Sequence, residues 1–302
     1  MICIYHSRDL DGWMSAAIVQ KYFHESDDID DGQKLELIGW DYGMDIPDIP
    51  DGEKLVITDV SFPIDVMIDL AERCSVTWID HHVSAIKDYL DNITRITPVI
   101  ITSFPTVQFL TGSGIEVGKK AACELTWEHF FPGKQTPRVV TLLGAYDTFR
   151  HVDMDPVAKE TVEFFQYGAR VHYSSPAGCF YLLKQGQDEI DQIVLTGESI
   201  MLYLTGEAEK AFNHRTDVEI DGHRFAAMNK PFFNPKNFGL SQDGYDGFMA
   251  YSYSGSSGLW IVSLYSDTID CSVIAKSMGG GGHKGAAGFQ VEDIQTFLRN
   301  GH

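Results

Sequence analysis

Three short apolar runs in the first eighty residues each end in side chains that can hold a metal ion. Met1-Ile2-Cys3-Ile4-Tyr5 leads into His6, Asp9, Asp11 and Gly12, Lys54-Leu55-Val56-Ile57-Thr58 into Asp59, and Ser75-Val76-Thr77-Trp78-Ile79 into Asp80-His81-His82. Runs of five residues, bounded by polar groups and separated by amphipathic stretches, predict buried strands of βαβ units in a mostly parallel sheet. In such a sheet ligands bind beyond the carboxyl ends of the strands. The pattern therefore constrains the chain to an α/β fold that gathers acids and imidazoles along one edge of one sheet.

The spacing predicts strands near 1–5, 35–40, 54–58 and 75–79, with helices near 12–24, 64–73, 118–131 and 156–169. A long helical pattern from about Asp188 to His214 is polar along one side and suits a connector between domains. Past it the pattern changes. Val218 to Ala226 reads as a hairpin around Asp221-Gly222, followed by strands near 247–253 and 259–265 and a helix over 269–277. The run Gly279-Gly280-Gly281-Gly282-His283 comes next, and Ala286-Ala287-Gly288 is expected to open a helix whose N-terminus favours phosphate. The expected organisation is a catalytic domain over 1–190, a helical linker over 191–216 and a smaller α/β domain over 217–302 that carries the glycine loop.

A formal charge of −20 over 302 residues repels long phosphate backbones, whose affinity for proteins rests on Lys and Arg. A phosphate-bearing substrate is then short and held locally, with no long nucleic-acid groove. Five scattered cysteines without Cys-x-x-Cys spacing argue for a reducing compartment and against a thiolate zinc site. The absence of a leader pattern and of any apolar stretch of membrane-spanning length predicts a cytoplasmic protein with no membrane partner.

His6, Asp9, Asp11, Asp59, His81 and Asp147 form a set rich in oxygen and free of sulfur, which suits Mn²⁺, with Mg²⁺ or Co²⁺ as alternatives. Any one of these residues is more often a structural hydrogen-bonding group. Together they would repel one another unless cations sat among them. Two ions bridged by carboxylates would clamp both oxygens of an in-line phosphoryl displacement.

These motifs resemble those of the DHH phosphoesterases with a C-terminal DHH-associated domain, and the nanoRNase branch most of all. The resemblance rests on His6-Ser-Arg-Asp9-Leu-Asp11-Gly12, Asp59, Asp80-His81-His82, Asp147 in Ala-Tyr-Asp-Thr-Phe-Arg, and Gly279 to His283 with Ala286-Ala287-Gly288. It implies one metal on His6, Asp9 and Asp59 and a second on Asp11, Asp59, His81 and Asp147. It further implies that His82 faces the scissile phosphate, that Asp80 orients the histidines, and that Gly280, Gly281, Gly282 and His283 cradle another part of the substrate. Arg150 and Tyr265 complete the expected substrate contacts, Tyr265 standing where relatives commonly carry arginine. The implied activity is two-metal hydrolysis of short oligonucleotides or linear dinucleotides to mononucleotides, in a chain for which a homodimer is allowed. The alternatives are an exopolyphosphatase or pyrophosphatase, and an inactive nucleotide-binding sensor.

Overall fold

The structure, a computed structural model, describes residues 1–26, 32–92, 120–231 and 233–300. The described residues form two compact units, Met1–Glu198 and Ser199–His302.

The first unit is built on a four-stranded parallel sheet. Its strands are β1 (Ile2–His6), β2 (Glu36–Trp40), β3 (Lys54–Thr58) and β4 (Ser75–Ile79), in the order β2-β1-β3-β4. The chain moves one way from β1 to β2 and then returns past β1 to β3, so the switch point lies between β1 and β3. That is where an open α/β sheet offers its crevice. Alternation along the strands sorts the side chains by face. Ile2, Ile4, Leu55, Ile57, Val76 and Trp78 join Met67 and Leu70 of α2 (Ile64–Arg73) and Ala85 and Tyr89 of α3 (Val83–Asp91) in one core. Cys3 and Val56 point the other way, onto Ala16 and Val19 of α1 (Leu10–Glu25).

The face of α1 turned from the sheet packs on further helices: α4 (Ala122–Phe130), α5 (Arg138–Asp147), α6 (Pro156–His172) and α7 (Pro176–Leu182). Their starts follow from local chemistry. Asp9, Asp155 and Ser175 cap α1, α6 and α7 by accepting backbone N–H bonds from Gly12, Ala158 and Gly178. Pro156 and Pro176 occupy first helical positions, where a missing N–H costs nothing. The apolar segment Val139–Ala145 is the heart of α5, and residues 118 and 119 of the expected helix over 118–131 lie outside the described residues.

A 27-residue helix, α8 (Gln187–Asn213), begins in the first unit and ends in the second. The second unit carries a six-stranded sheet of β5 (Thr216–Ile220), β6 (His223–Asn229), β7 (Gly247–Ser254), β8 (Leu259–Tyr265), β9 (Gly281–His283) and β10 (Ala286–Val291), ordered β5-β6-β7-β8-β10-β9. Positive φ at Asp221 (53°) and Gly222 (75°) makes the expected tight hairpin between β5 and β6. Helices α9 (Cys271–Ser277) and α10 (Ile294–Asn300) complete it. Among the described residues no helix is long and apolar enough to cross a membrane.

The C-terminal loop corrects one expectation. Ala286-Ala287-Gly288 does not open a helix: it begins β10, paired with Tyr265, Leu264 and Ser263 of β8. The glycine run is itself tied into this structure. Gly280 N–H closes α9 by donating to Ala275 O at 2.8 Å, and Gly281 to His283 form a strand against β10. Small residues after glycines permit a close strand pair as readily as a helix start, and here β8 supplies the partner edge.

Candidate metal centre

The acids and imidazoles at the strand ends meet in the first unit. His6 closes β1, and its Nδ1 lies 2.6 Å from Asp9 Oδ2 and 3.5 Å from Asp59 Oδ2. His81 follows β4, and its Nε2 lies 3.4 Å from Asp59 Oδ1, 3.3 Å from Asp147 Oδ2 and 3.6 Å from Asp11 Oδ2. Three overlapping triads result: His6–Asp9–Asp59, Asp11–His81–Asp147 and Asp59–His81–His82, each with donor atoms within 4.8 Å of one another. Asp59 turns one oxygen to each histidine, so it belongs to both sides of the cluster.

The backbone enforces this arrangement. Asp59 sits in the left-handed region, φ 61°, a conformation that costs a non-glycine residue roughly 1–3 kcal/mol and that Asp tolerates better than most. Its N–H still donates to Ile79 O at 2.9 Å, so β3 and β4 stay joined up to the residue that precedes Asp80. Gly12 is required sterically, because a Cβ there would lie 2.1 Å from His6 O. Asp11 is 3% exposed, and both its oxygens accept N–H bonds at the start of α4, from Ala122 (2.9 Å) and Cys123 (2.8 Å).

The electrostatics are those of a site built for cations. Burial, then the charges of Asp59 and Asp9, push Asp11 up to about 8 against the pull of His81 and Cys123. Burial and Asp11 push Asp147 to about 7, and burial raises Asp59. Burial alone would lower the histidines, but Asp59 and Asp9 hold His6 at about 11, and Asp59, Asp11 and Asp147 hold His81 at about 10. Asp9 goes the other way: burial would raise it, yet the His6 contact and the Gly12 N–H bring it down. Both Asp11 oxygens accept N–H bonds, which suits the anion, while its neighbours oppose that charge. A divalent cation resolves the conflict.

A second observation fits a metal. His6 Nδ1 is buried, yet despite its short contacts it has no well-aligned hydrogen-bond partner among the described residues, and Asp80 Oδ2 is in the same position. A nitrogen turned into a ring of carboxylates is a ligand geometry. With oxygen and imidazole donors only, the residues present fit Mn²⁺ or Mg²⁺.

His82 differs from its neighbour. Its Nδ1 lies 2.7 Å from Asp80 Oδ1, its N–H donates to the same oxygen at 3.0 Å, and its side chain is 39% exposed against 12% for His81. The Asp80 contact raises its pKa.

Several neighbours of the cluster escaped the sequence reading. Asp41, just past β2, lies 3.4 Å from His6 Nε2 and accepts from Arg8 Nε at 2.5 Å, backing the histidine as outer carboxylates do in metal sites. Buried Glu124 accepts from Ala121 N–H (3.0 Å) and Arg150 Nη2 (2.5 Å). Its only sequence signal is a charge within an apolar helix. Arg150, expected to touch substrate, is thus held by Glu124 and by Thr148 Oγ1 at 2.9 Å. Tyr265 and the glycine strand lie in the second unit, where Tyr265 packs against the cluster of Ala226, Met228 and Phe248.

No family model matches the chain. It is 23% identical over 317 residues to the uncharacterized protein R106 of Acanthamoeba polyphaga mimivirus, across 98% of this chain and 69% of that protein. Among solved structures it is similar to the pGpG-specific phosphodiesterase PggH of Vibrio cholerae, with a TM-score of 0.52 at 12% identity over 98% of this chain and 94% of that one. RecJ of Thermus thermophilus, in complex with Mg²⁺, gives a TM-score of 0.48 at 14% identity over 98% of this chain and 47% of RecJ. The likeness to PggH is one of fold: the two chains share an α/β architecture over nearly their whole lengths.

Proposed function

We propose that the chain is a divalent-metal phosphodiesterase that hydrolyses short oligonucleotides or linear dinucleotides to mononucleotides. The observation that carries the reading is the set of three overlapping triads in which Asp59 and His81 are shared. Two divalent ions, Mn²⁺ first, would polarise a phosphodiester and lower the pKa of an attacking water. His6, Asp9 and Asp59 would hold one, and Asp59, Asp11, His81 and Asp147 the other. His82, fixed through Nδ1 by Asp80, keeps Nε2 for a hydrogen bond to a phosphate oxygen or for a proton to the leaving oxygen.

Residues 1–190 would form the catalytic part and 217–302 a substrate-gripping part, with Gly281, His283 and Tyr265 as its contacts to the substrate. Gly281 supports this, since nothing lies within 4 Å of where its side chain would be. A small substrate is further supported by the −20 charge and by the pGpG specificity for which PggH is named.

The test is to incubate purified protein with Mn²⁺, and with EDTA as control, against pGpG, pApA, longer RNA and polyphosphate. Mononucleotide release from the dinucleotides, lost in EDTA, is expected. Faster phosphate release from polyphosphate than nucleotide release from either dinucleotide would replace this reading with an exopolyphosphatase. Tight nucleotide binding without turnover of any substrate would replace it with a sensor.

A further inference from the structure

Beside the metal ligands the first unit carries a cavity of about 200 Å³, reached past Asp9, Asp11 and Asp147. Its remaining walls are Leu10, Leu143, Tyr146, Phe149, Gln166 and Arg170. None of these six is needed to hold a metal, and the phosphodiesterase reading leaves them without a task.

Phe149 is the oddest of them. It is 72% exposed, and its backbone is left-handed, φ 57°. A large aromatic residue is costly in that conformation, by roughly 1–3 kcal/mol, and gains little burial in return. The conformation sets its ring on the cavity wall, where it stacks on His151 at 6.2 Å and 27° and leaves most of its surface exposed. Tyr146 forms an adjoining wall, its ring stacked on His151 at 5.1 Å and 11°. Farther along, Gln166 is 5% exposed, and with its amide turned so that the oxygen faces donors it accepts from Arg170 Nε and Nη2, both at 3.3 Å. Arg170 is therefore braced, with part of its donor fork left over.

The contents can be argued by elimination. A second phosphate in this cavity would have Arg170 alone to hold it, since the three carboxylates on its wall are committed to the metals. A planar, neutral ring suits the walls better: Leu10 and Leu143 are apolar, two aromatic residues offer faces for stacking, and Arg170 offers donors to ring acceptors. The volume admits a single ring system, far short of a second nucleotide. We infer that this cavity is a nucleobase subsite in which Phe149 and Tyr146 stack on the base of the nucleotide whose phosphate lies at the metal cluster, and Arg170 reads its acceptor edge. A donor-only guanidinium favours guanine, with acceptors at O6 and N7, over adenine, which presents N7 beside a donor. The inference rests on the phosphodiesterase reading only for where the phosphate lies.

Isothermal titration of the full chain with guanosine, adenosine and ribose 5-phosphate tests it in Mn²⁺ and in EDTA, and none of these ligands contains a phosphodiester. Guanosine is expected to bind in both buffers, at least threefold tighter than adenosine. Phe149→Ala should weaken it by about tenfold or more. Arg170→Lys, which keeps the charge and loses the planar fork, should abolish the preference for guanosine. Ribose 5-phosphate should need Mn²⁺ and be indifferent to both changes. Guanosine binding that survives both substitutions overturns the inference, as does ribose 5-phosphate affinity that falls with Arg170→Lys. Melting curves identify any variant that is misfolded, and Phe149→Leu, which keeps bulk without the flat ring, then stands in for Phe149→Ala. Failure of dinucleotide hydrolysis with guanosine binding intact would remove the phosphodiesterase reading and leave the subsite standing.

Discussion

Asp59 lies within reach of both His6 and His81, so its loss reaches both sides of the cluster. Asp59→Ala should abolish most Mn²⁺ binding in titration calorimetry and lower turnover at least a hundredfold. Two ions bound at near wild-type affinity would refute the shared role. Asp147→Ala should cost chiefly one ion, because Asp147 enters a single triad. The same residues set a pH dependence. An acid whose folded pKa is raised binds more protons when folded, so its contribution to stability declines as pH rises from about 4 towards the folded value. For Asp11 and Asp147 that decline runs to about 8 and about 7. His6 and His81 contribute fully below about 6.5 and lose that contribution as pH climbs through about 11 and 10. Asp9, lowered, acts only below this window. Both trends point the same way, so metal-free protein should melt at progressively lower temperature from pH 5 to 9. Saturating Mn²⁺, which replaces those protons, should flatten the curve. A melting temperature in EDTA that rises over this range would contradict the assignment.

At the scale of elements, sequence was most informative where local chemistry decides structure. The four strands of the first sheet and their polar ends were readable because apolar runs stop at residues that cannot be buried unpaired. Asp147 was readable only through its motif, since it closes a helix rather than a strand. Asp41, Glu124, Gln166 and Arg170 are polar residues on helices or loops, and only tertiary packing distinguishes them from solvated ones. Ala286-Ala287-Gly288 misled because small residues permit a strand as readily as a helix start, and the choice was made by a distant strand, β8. Three glycine replacements follow from this geometry. Gly12→Ala drives a methyl into His6 O and should cost about 2–4 kcal/mol while disordering the first ligand triad, visible in melting temperature and Mn²⁺ stoichiometry. In the second unit Gly282 has φ 139° and a Cβ would lie 2.5 Å from Ala287 Cα, so Gly282→Val should unfold the strand pair. Gly281→Val should melt within a few degrees of wild type and raise KM for a dinucleotide severalfold. An unchanged KM would exclude that strand from substrate contact.

For the molecule as a whole, a charge of −20 makes attraction local and repulsion general. A nuclease with a basic groove loses affinity steeply as salt is added. Here salt should screen repulsion instead, so KM for a tetranucleotide should hold or fall between about 0.05 and 0.2 M NaCl. A steep rise would reveal a cationic track along the substrate path.

The hydrogen bond from Asp59 N–H to Ile79 O has one more consequence. It is a rung of the same ladder that sets neighbouring strands about 4.8 Å apart, and it stands between the two sequence motifs that supply the shared ligands. The spacing of the ligand groups is therefore inherited from the pitch of the sheet, as marks on a ruler are inherited from the metal they are cut in. Side-chain torsions can accommodate ions of slightly different radius, but the scale itself can be altered only by breaking the sheet.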